Sequence, residues 1–519
     1  MKKRPRRSML QMSPRTIPFL LLMSLLIACS RSDVSSVSDH ASLANDATSP
    51  PNFIILFPDD LGWADLAAFG SEKIRTPNLD TLAREGQRWS SFYVAAPVCS
   101  PSRGALLTGR YPVRTGLYGR RLQVLYEDDP LFVFPDSEVT IAELLGDAGY
   151  STAIVGKWHL GDRLDSYPTR HGFDYWWGIP YSNDMPWTDG PPREEYLMAI
   201  KQEDFKKFGA IIRQHRHAFD EPRIEYWNPP LIRSQKTAGG FTDTEVERPI
   251  DQRTFTERLT AEAVDFITAH QSEPFFLYVA YTKPHIPLFP GKDFNGRSGG
   301  GRYGDAVEEI DWSTGQIINT LRRLELDRRT LVIFVSDNGP WLEAGEDGGS
   351  AIPFRGGKGT TFEGGMRVPA IFWGPENIMP GEVAGIGSVL DILPTFAAAA
   401  GIATDHLTLD GLDLGATLLD PPEESRDSIA YYAGGELQAY RKDNYKLVLV
   451  NNRRAPLASR PNQRLSTPKL YDLHSDPEER HDVADTHPDL VDKLLSNIGE
   501  LERAMPIADP MFDTRLSTL

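Results

Sequence analysis

The 519-residue sequence contains only two cysteines, Cys29 and Cys99. Two are too few for a disulfide-built scaffold or for a metal cluster held by several thiolates. Basic residues are also scarce relative to acidic ones, 55 against 72, which gives a formal net charge of −17. This acidic excess argues against a nucleic-acid-binding protein, because contact with phosphates requires a basic surface.

Long apolar runs are scarce as well, and the one near the N-terminus covers residues 17–28 with a single serine inside it. It follows a basic segment and is short for a permanent membrane helix, which is typical of a signal peptide. The run ends in Leu26-Ile27-Ala28-Cys29, which resembles the site at which bacterial lipoproteins are acylated on cysteine. We therefore expect a lipoprotein signal peptide over residues 1–28 and membrane attachment through Cys29.

Two points about this leader stay open. An ordinary signal peptide that contains an incidental cysteine is the alternative to acylation. Arg6-Arg7 matches a twin-arginine export signal only weakly, so the sequence does not choose between the two export routes. Ser30, rather than Asp, follows Cys29 and favours the outer membrane, so a periplasmic or cell-surface location is expected.

The remainder of the chain predicts an α/β protein with a large, mostly parallel sheet between helices. Residues 29–50 are rich in Ser, Asp and Ala and predict a flexible tether. Short apolar runs then alternate with helical patterns, as expected for a sheet buried on both faces. The predicted strands are 53–57, 151–155, 275–281, 331–336 and 368–373; the predicted helices begin at Thr76-Pro77 or cover 139–148, 254–270, 305–324 and 391–400.

The pattern changes near residue 426, so we predict a catalytic domain over 51–425 and a smaller α+β subdomain over 426–519. Four short strands are expected at 428–432, 437–441, 445–450 and 470–472, and they form an antiparallel sheet in this interpretation. A closing helix is expected over 488–505.

Polar side chains follow four of the predicted strands of the catalytic domain. In open α/β sheets, ligands bind beyond the carboxyl ends of the strands, so these side chains predict one shared site. Carboxylate and amide oxygens are hard ligands that suit Ca²⁺ or Mg²⁺. The residues, in strand order, are Asp59 with Asp60, Lys157 with His159, His285, and Asp337 with Asn338.

Cys99 lies in the segment Cys99-Ser100-Pro101-Ser102-Arg103, which Leu107-Thr108-Gly109-Arg110 follows. Ser100 can cap a helix that Pro101 opens and Gly109 ends. Cys99 would then precede a helix N-terminus, where backbone N–H groups favour anions.

This segment resembles the signature of type I sulfatases, in which the cysteine is oxidised to formylglycine. Further motifs between about residue 51 and about residue 505 fit the same family, and their sequence order is most similar to the arylsulfatase A and N-acetylgalactosamine-6-sulfatase branch. The resemblance implies the fold of the alkaline phosphatase superfamily. The motifs are Gly156-Lys157-Trp158-His159, Ile179-Pro180-Tyr181-Ser182, His285-Ile286-Pro287, Asp337-Asn338-Gly339, the glycine-rich run 357–365, and Leu470-Tyr471-Asp472-Leu473 with Asp476-Pro477.

The resemblance also implies roles for individual residues. Ca²⁺ would be bound by Asp59, Asp60, Asp337 and Asn338 and contacted by the formylglycine formed at Cys99. Hydrated formylglycine would be the nucleophile, Arg103 and Lys157 would hold it, and His159 would bond one of its hydroxyls. Lys358 and His285 would bind the sulfate and assist the leaving group, although Lys283 offers a second cation in the loop of His285. For Ser182 and Glu363 we expect packing or supporting roles.

The expected function is therefore hydrolysis of the sulfate ester of a small molecule or a glycan, after maturation by a formylglycine-generating enzyme. Two alternatives stay open, namely a phosphate mono- or diester hydrolase with a related site, and a non-catalytic lipoprotein that binds sulfated glycans and keeps Cys99 unoxidised. The substrate depends on loops 180–255 and 286–304, whose sequence gives no specificity.

Overall fold

The computed structural model describes residues 50–188, 190–374, 376, 378–421, 426–451 and 463–519. The predicted signal peptide, with Cys29, and nearly all of the predicted tether lie outside the described residues. Residues 422–425, next to the predicted domain boundary, also lie outside them. Within the described part of the chain, no helix is both long enough and apolar enough to cross a membrane.

The larger sheet has ten strands in the order β10-β2-β9-β8-β1-β7-β3-β4-β5-β6. The five central strands, from β8 to β4, are all parallel, whereas β9, β5 and β6 run antiparallel to their neighbours. The strands are β1 Asn52–Phe57, β2 Gln87–Tyr93, β3 Ser151–Lys157, β4 Tyr175–Ile179, β5 Leu231–Thr237, β6 Gly240–Glu247, β7 Phe275–Ala280, β8 Thr330–Val335, β9 Arg367–Trp373 and β10 Gly381–Ser388.

Helices cover both faces of this sheet, so its central strands are buried on both sides. Along β1, Phe53 and Ile55 pack into the core on one face with α2, α4 and α11, while Ile54 and Leu56 pack on the other face with α1, α8 and α9. The helices are α1 Pro77–Glu85, α2 Cys99–Thr108, α3 Pro112–Thr115, α4 Ile141–Asp147, α5 Arg193–Lys201, α6 Phe205–Gln214, α7 His217–Asp220, α8 Phe255–Ala269, α9 Gly301–Arg323, α10 Glu363–Met366, α11 Ile392–Ala399, α12 Gly415–Leu419 and α13 Pro488–Ala504.

The second sheet is antiparallel and has the order β11-β12-β13-β14. Its strands are β11 Ser428–Ala433, β12 Glu436–Lys442, β13 Tyr445–Asn451 and β14 Gln463–Asp472. Tyr431, Leu447 and Leu470 of this sheet belong to the same apolar core as α2 and α11. The predicted fold class is confirmed, including the antiparallel four-stranded sheet with its closing helix.

Three details differ from the sequence-based expectation. The helix after Val98 begins at Cys99 and not at Pro101, so Cys99 is its first residue. The predicted strand at 368–373 is present as β9, but it runs antiparallel to both neighbours. Strands β2, β4, β5, β6 and β10 were not predicted, because glycine or polar residues interrupt their sequences and leave neither a continuous apolar run nor a strict alternation.

Candidate active site

The site lies where the central parallel strands end. Asp59 and Asp60 follow β1, Lys157 is the last residue of β3, and Asp337 follows β8 with one residue between them. Strands β8, β1, β7 and β3 are adjacent and parallel, so their carboxyl ends meet at one edge of the sheet. The structure therefore brings together the polar side chains that follow these strands.

Cys99 faces this cluster from the first turn of α2 and is 1% exposed. Its Sγ lies 3.4 Å from Oδ1 of Asp59, to which the thiol donates a hydrogen bond. Burial, together with the nearby Asp59 charge, raises the pKa of the Cys99 thiol well above its usual value. An unmodified Cys99 is thus held as a neutral thiol, which is a weak nucleophile.

Arg103, one turn further along α2, is completely buried. Its Nε and Nη2 donate to Oδ2 of Asp337 at 3.1 and 2.8 Å, and its Nη1 donates to the backbone oxygen of Lys157 at 3.3 Å. Its Nη2 is also 3.7 Å from Oδ2 of Asp59. The guanidinium therefore fixes the ends of β1, β3 and β8 relative to α2 and supplies positive charge to the strand-end cluster.

Lys157 and Asp59 form a fully buried ion pair in which Nζ lies 2.5 Å from Oδ2. Lys157 also donates to Oγ of Ser182 at 3.1 Å. Burial alone would raise the pKa of Asp59, but the charges of Lys157, His285, Arg103 and Lys358 hold it well below the usual value. Asp59 is therefore a carboxylate at neutral pH.

Asp60 has a left-handed backbone conformation, with φ of 64°. Its amide nitrogen donates to Oδ1 of Asp337 at 3.0 Å, and its own carboxylate accepts hydrogen bonds from Asn338 Nδ2 at 2.7 Å and from Lys358 Nζ at 2.8 Å. Burial and the charges of Asp59 and Asp337 raise the pKa of Asp60 to about 7. Three carboxyl groups packed this closely need a cation to stay ionised together.

His159 is buried, and its Nε2 lies 2.9 Å from the backbone oxygen of Leu125. A carbonyl only accepts, so Nε2 carries the proton and Nδ1 is the acceptor nitrogen. Nδ1 is buried and has no hydrogen-bond partner among the described residues. Burial and the charges of Lys157 and Arg103 lower the pKa of His159 well below its usual value, so the ring is neutral at physiological pH.

His285 and Lys358 approach the cluster from the opposite side, next to Trp341. Nε2 of His285 is 3.7 Å from Oδ2 of Asp60, and Lys358 Nζ lies 4.7 Å from the centre of the Trp341 ring. Lys283 instead forms a buried ion pair with Glu309 at 2.6 Å, so it does not supply a cation to the cluster.

Four side chains of the strand-end cluster offer possible metal-ligand atoms that lie within 4.8 Å of one another, namely those of Asp59, Asp60, Cys99 and His285. The amide oxygen of Asn338 adjoins them and is buried without a partner in the part of the chain that the structure describes. Both oxygens of Asp337 accept hydrogen bonds, from the Asp60 amide and from Arg103. The arrangement fits a hard divalent cation, and it adds His285, which was not among the predicted metal ligands.

A small pocket of about 30 Å³ lies above the cluster and is lined by Cys99, His159, Ser182, His285 and Lys358. Asp184 also lines it, and sequence reasoning missed this residue. Burial raises the pKa of Asp184, and its Oδ1 is buried without a partner among the described residues. The available signal was its position two residues after Ser182, in the same loop as that motif.

Glu363 lies apart from the catalytic pocket. Its carboxylate accepts hydrogen bonds from Tyr93 at 2.5 Å, from Tyr431 at 2.8 Å and from Lys446 at 3.0 Å. These contacts join the loop that carries Lys358 to the second sheet, so Glu363 has a packing and supporting position.

Comparison with known proteins agrees with this site. The family model described as Sulfatase matches residues 51–402. N-acetylgalactosamine-6-sulfatase of Rattus norvegicus is 41% identical over 416 residues, which cover 78% of this chain and 72% of the relative. Arylsulfatase A of Bos taurus is 37% identical and covers 88% of each chain. The crystal structure of the PsFucS1 sulfatase from Pseudoalteromonas sp. superposes with a TM-score of 0.72 at 30% identity, covering 89% of this chain and 92% of that one.

The sheet with its strand-end site is that of a hydrolase with the alkaline phosphatase-like fold. The chain belongs to the sulfatase family, and its activity is the hydrolysis of sulfate esters.

Proposed function

We propose that the protein hydrolyses sulfate esters with a formylglycine nucleophile made from Cys99 and with bound Ca²⁺. The observation that carries this proposal is the position of Cys99. It is buried against the Asp59 carboxylate, in one cluster with the cations of Arg103, Lys157 and Lys358. These cations place fixed positive charge beside residue 99, where the sulfuryl group would carry negative charge in the transition state.

Formylglycine, once hydrated, supplies two hydroxyls on one carbon, one to attack sulfur and one to help expel sulfate. In this proposal Arg103 and Lys157 orient residue 99 and offset charge beside it. His159 accepts a proton at Nδ1, the free nitrogen of its neutral ring. Lys358 and His285 bind the sulfate oxygens and stabilise charge on the leaving oxygen, because both line the same pocket as Cys99 and His159.

The residues present fit a hard divalent cation. Asp59, Asp60, Asp337 and Asn338 would hold it, with His285 near the same point. When bound, the metal supplies positive charge that stabilises the developing negative charge on the sulfuryl group. Oxygen donors predominate, which favours Ca²⁺ or Mg²⁺ over zinc.

The test is the mass of the tryptic peptide spanning residues 89–103, from protein made with a formylglycine-generating enzyme. This peptide contains Cys99 and no other cysteine. We expect an aldehyde at residue 99 and hydrolysis of an aryl sulfate. Cys99→Ala should be inactive. Matured protein that binds but does not hydrolyse a sulfate ester would overturn the proposal, and faster turnover of the matching phosphate ester would favour a phosphohydrolase.

We further propose that the protein is exported and held at the cell envelope by lipid on Cys29. The support is the basic segment, apolar run and Leu26-Ile27-Ala28-Cys29 sequence at the N-terminus. Labelled fatty acid should be incorporated into the wild-type chain in a bacterial host, and Cys29→Ala should remove the label. Labelling of Cys29→Ala, or a wild-type chain without label, would contradict this location.

A further inference from the structure

A large cleft adjoins the catalytic pocket and has a volume of about 870 Å³. This volume is in the upper part of the range that small-molecule sites span. Asp184, Met185 and Trp341 line both spaces, so the cleft opens beside the residues that would surround the sulfate. Since the alcohol part of a sulfate ester must project away from the sulfur, this cleft is where it would extend.

Aromatic rings form two walls of the cleft. On one wall Trp187 stacks on Trp227 with 5.4 Å between ring centres, and Phe219 packs edge-on against Trp187 at 5.2 Å. On another, Tyr126 and Tyr196 pack together at 5.6 Å. Rings held in place by other rings give large, rigid apolar surfaces, which bind a bulky ligand with little loss of side-chain entropy.

Helix α6 contributes Phe208 and Ile212 to the same lining. Neutral hydrogen-bonding side chains are a minority of this lining, and no Asn, Gln, Ser or His belongs to it within the described residues; those present are Tyr126, Trp187, Thr188, Tyr196 and Trp341. Much of the charged lining is already paired. Arg193 binds Glu127 at 2.5 Å, and Arg216 binds Asp220 at 3.2 Å. The surface offered to a ligand is therefore largely apolar.

The charged side chains of the cleft lining are more often acidic than basic. Five carboxylates and three guanidinium groups line the cleft, and those carboxylates include Asp184 at the junction with the pocket. Lys157 and Lys358 lie at the sulfate position instead. A second anionic group on the substrate would meet this acidic lining and be repelled, because charges act strongly inside a concave, partly dehydrated site.

From this cleft we infer that the substrate carries a single sulfate on a bulky, uncharged and largely apolar alcohol of the polycyclic class. This inference rests on the proposed sulfatase chemistry and narrows its substrate class. It excludes polyanionic sulfated glycans as the preferred substrates. The Asp184 carboxyl group would accept a hydrogen bond from the substrate at the mouth of the cleft.

The first experiment uses the full-length, matured wild-type enzyme with Ca²⁺ and four substrates. They are 4-nitrophenyl sulfate, a steroid 3-sulfate, a monosulfated N-acetylhexosamine, and a sulfated disaccharide that carries a carboxylate. We expect kcat/KM for the steroid sulfate to exceed that of the two sugar sulfates by about tenfold or more. Its KM should lie below that of 4-nitrophenyl sulfate, whose better leaving group raises kcat, because the steroid buries more apolar surface. The unsulfated steroid alcohol should inhibit hydrolysis of 4-nitrophenyl sulfate competitively.

The second experiment places a charge in the cleft. Ile212→Glu should lower kcat/KM for the steroid sulfate by about tenfold or more, because an apolar ligand would desolvate the new carboxylate. It should lower kcat/KM for 4-nitrophenyl sulfate by a clearly smaller factor, since the small nitrophenyl group would contact much less of the cleft. Ile507→Glu, at an exposed isoleucine outside the cleft lining, is the matched control.

The outcomes separate this inference from the proposed function. If 4-nitrophenyl sulfate is not hydrolysed by matured enzyme, the proposed function itself fails. If it is hydrolysed but the carboxylated disaccharide or the monosulfated sugar has a higher kcat/KM than the steroid sulfate, the substrate class inferred here is wrong. An equal loss on both sulfate esters in Ile212→Glu, or no inhibition by the steroid alcohol, would also overturn it.

Discussion

The Nε2 atom of His159 donates a hydrogen bond to the backbone oxygen of Leu125 at 2.9 Å. This single contact sets the tautomer of the ring and leaves Nδ1 as a lone-pair acceptor with no other partner among the described residues. His159 lines the same small pocket as Cys99, and the structure thereby gives the pocket a neutral base that is oriented in advance.

His159→Asn should slow the release of sulfate more than the release of the alcohol. The asparagine can still contact the Leu125 carbonyl, but it is not a base. We expect kcat for 4-nitrophenyl sulfate to fall by about 100-fold or more. Stopped-flow measurement should then show a burst of nitrophenolate, followed by slow turnover. A fall in kcat without a burst would mean that His159 acts before the alcohol leaves.

The pH dependence of kcat should also indicate that the His159 ring is neutral. Burial, with the charges of Lys157 and Arg103, keeps the pKa of His159 well below 6.5. Protonation of Nδ1 removes the acceptor, so the rate should fall only when the pH drops below that ordinary histidine value. With saturating Ca²⁺, which would keep Asp60 ionised, we expect log kcat to be level through pH 6.5 and its acid limb to lie lower. An acid limb with a midpoint above 6.5 would contradict a neutral His159.

Removal of the metal should abolish activity and lower thermal stability. Asp60, Asp59 and Asp337 repel one another, and a bound cation relieves that repulsion. A metal that binds only the folded state also stabilises that state, and the stabilisation is larger when the metal binds more tightly. Chelation should therefore lower Tm, and Ca²⁺ should restore both Tm and activity. Unchanged Tm and activity after dialysis against chelator would show that the site needs no cation.

Asn338→Ala tests the metal site more specifically, since it removes the buried amide oxygen that has no partner among the described residues. The Ca²⁺ concentration that restores half of the activity should rise by about tenfold or more. Asn444→Ala, in the turn between β12 and β13, is a control that should leave this concentration unchanged.

The sequence was sufficient to predict four of the five central strands, namely β8, β1, β7 and β3, and the residues that follow them. Runs such as Phe275–Ala280 are apolar throughout because both faces of the strand are buried, and this signal is local. β6, Gly240–Glu247, has mostly exposed side chains, and its pairing with β5 follows from tertiary contacts. The same limit applies to the site. Trp341 reaches the pocket through loop packing that no spacing in the sequence reports, whereas the position of Asp184 beside the Ser182 motif was its one sequence signal.

Lys446 of β13 connects the second sheet to the loop that carries Lys358, and its neutral replacement should weaken both stability and activity. Its Nζ donates to the backbone oxygen of Thr361 at 2.9 Å and lies 3.0 and 2.8 Å from carboxylate oxygens of Glu363 and Glu479. All three charged side chains are fully buried. Lys446→Met would remove the cation that pairs with Glu479 and would leave Glu363 with the more distant Arg367, whose Nη1 lies 3.6 Å from its carboxylate, at a cost of about 3–5 kcal/mol.

We therefore expect Lys446→Met to lower the free energy of unfolding by that amount and to raise KM, because the loop of Lys358 loses its anchor. Lys442→Met is the matched control, since Lys442 pairs with an exposed Asp427 and such pairs contribute at most about 1 kcal/mol. Lys446→Met combined with Glu363→Gln should recover part of the stability, because one incompletely compensated charge is removed. Denaturant titration and steady-state kinetics check both effects. If the double variant is less stable than Lys446→Met alone, charge compensation is not what Lys446 provides.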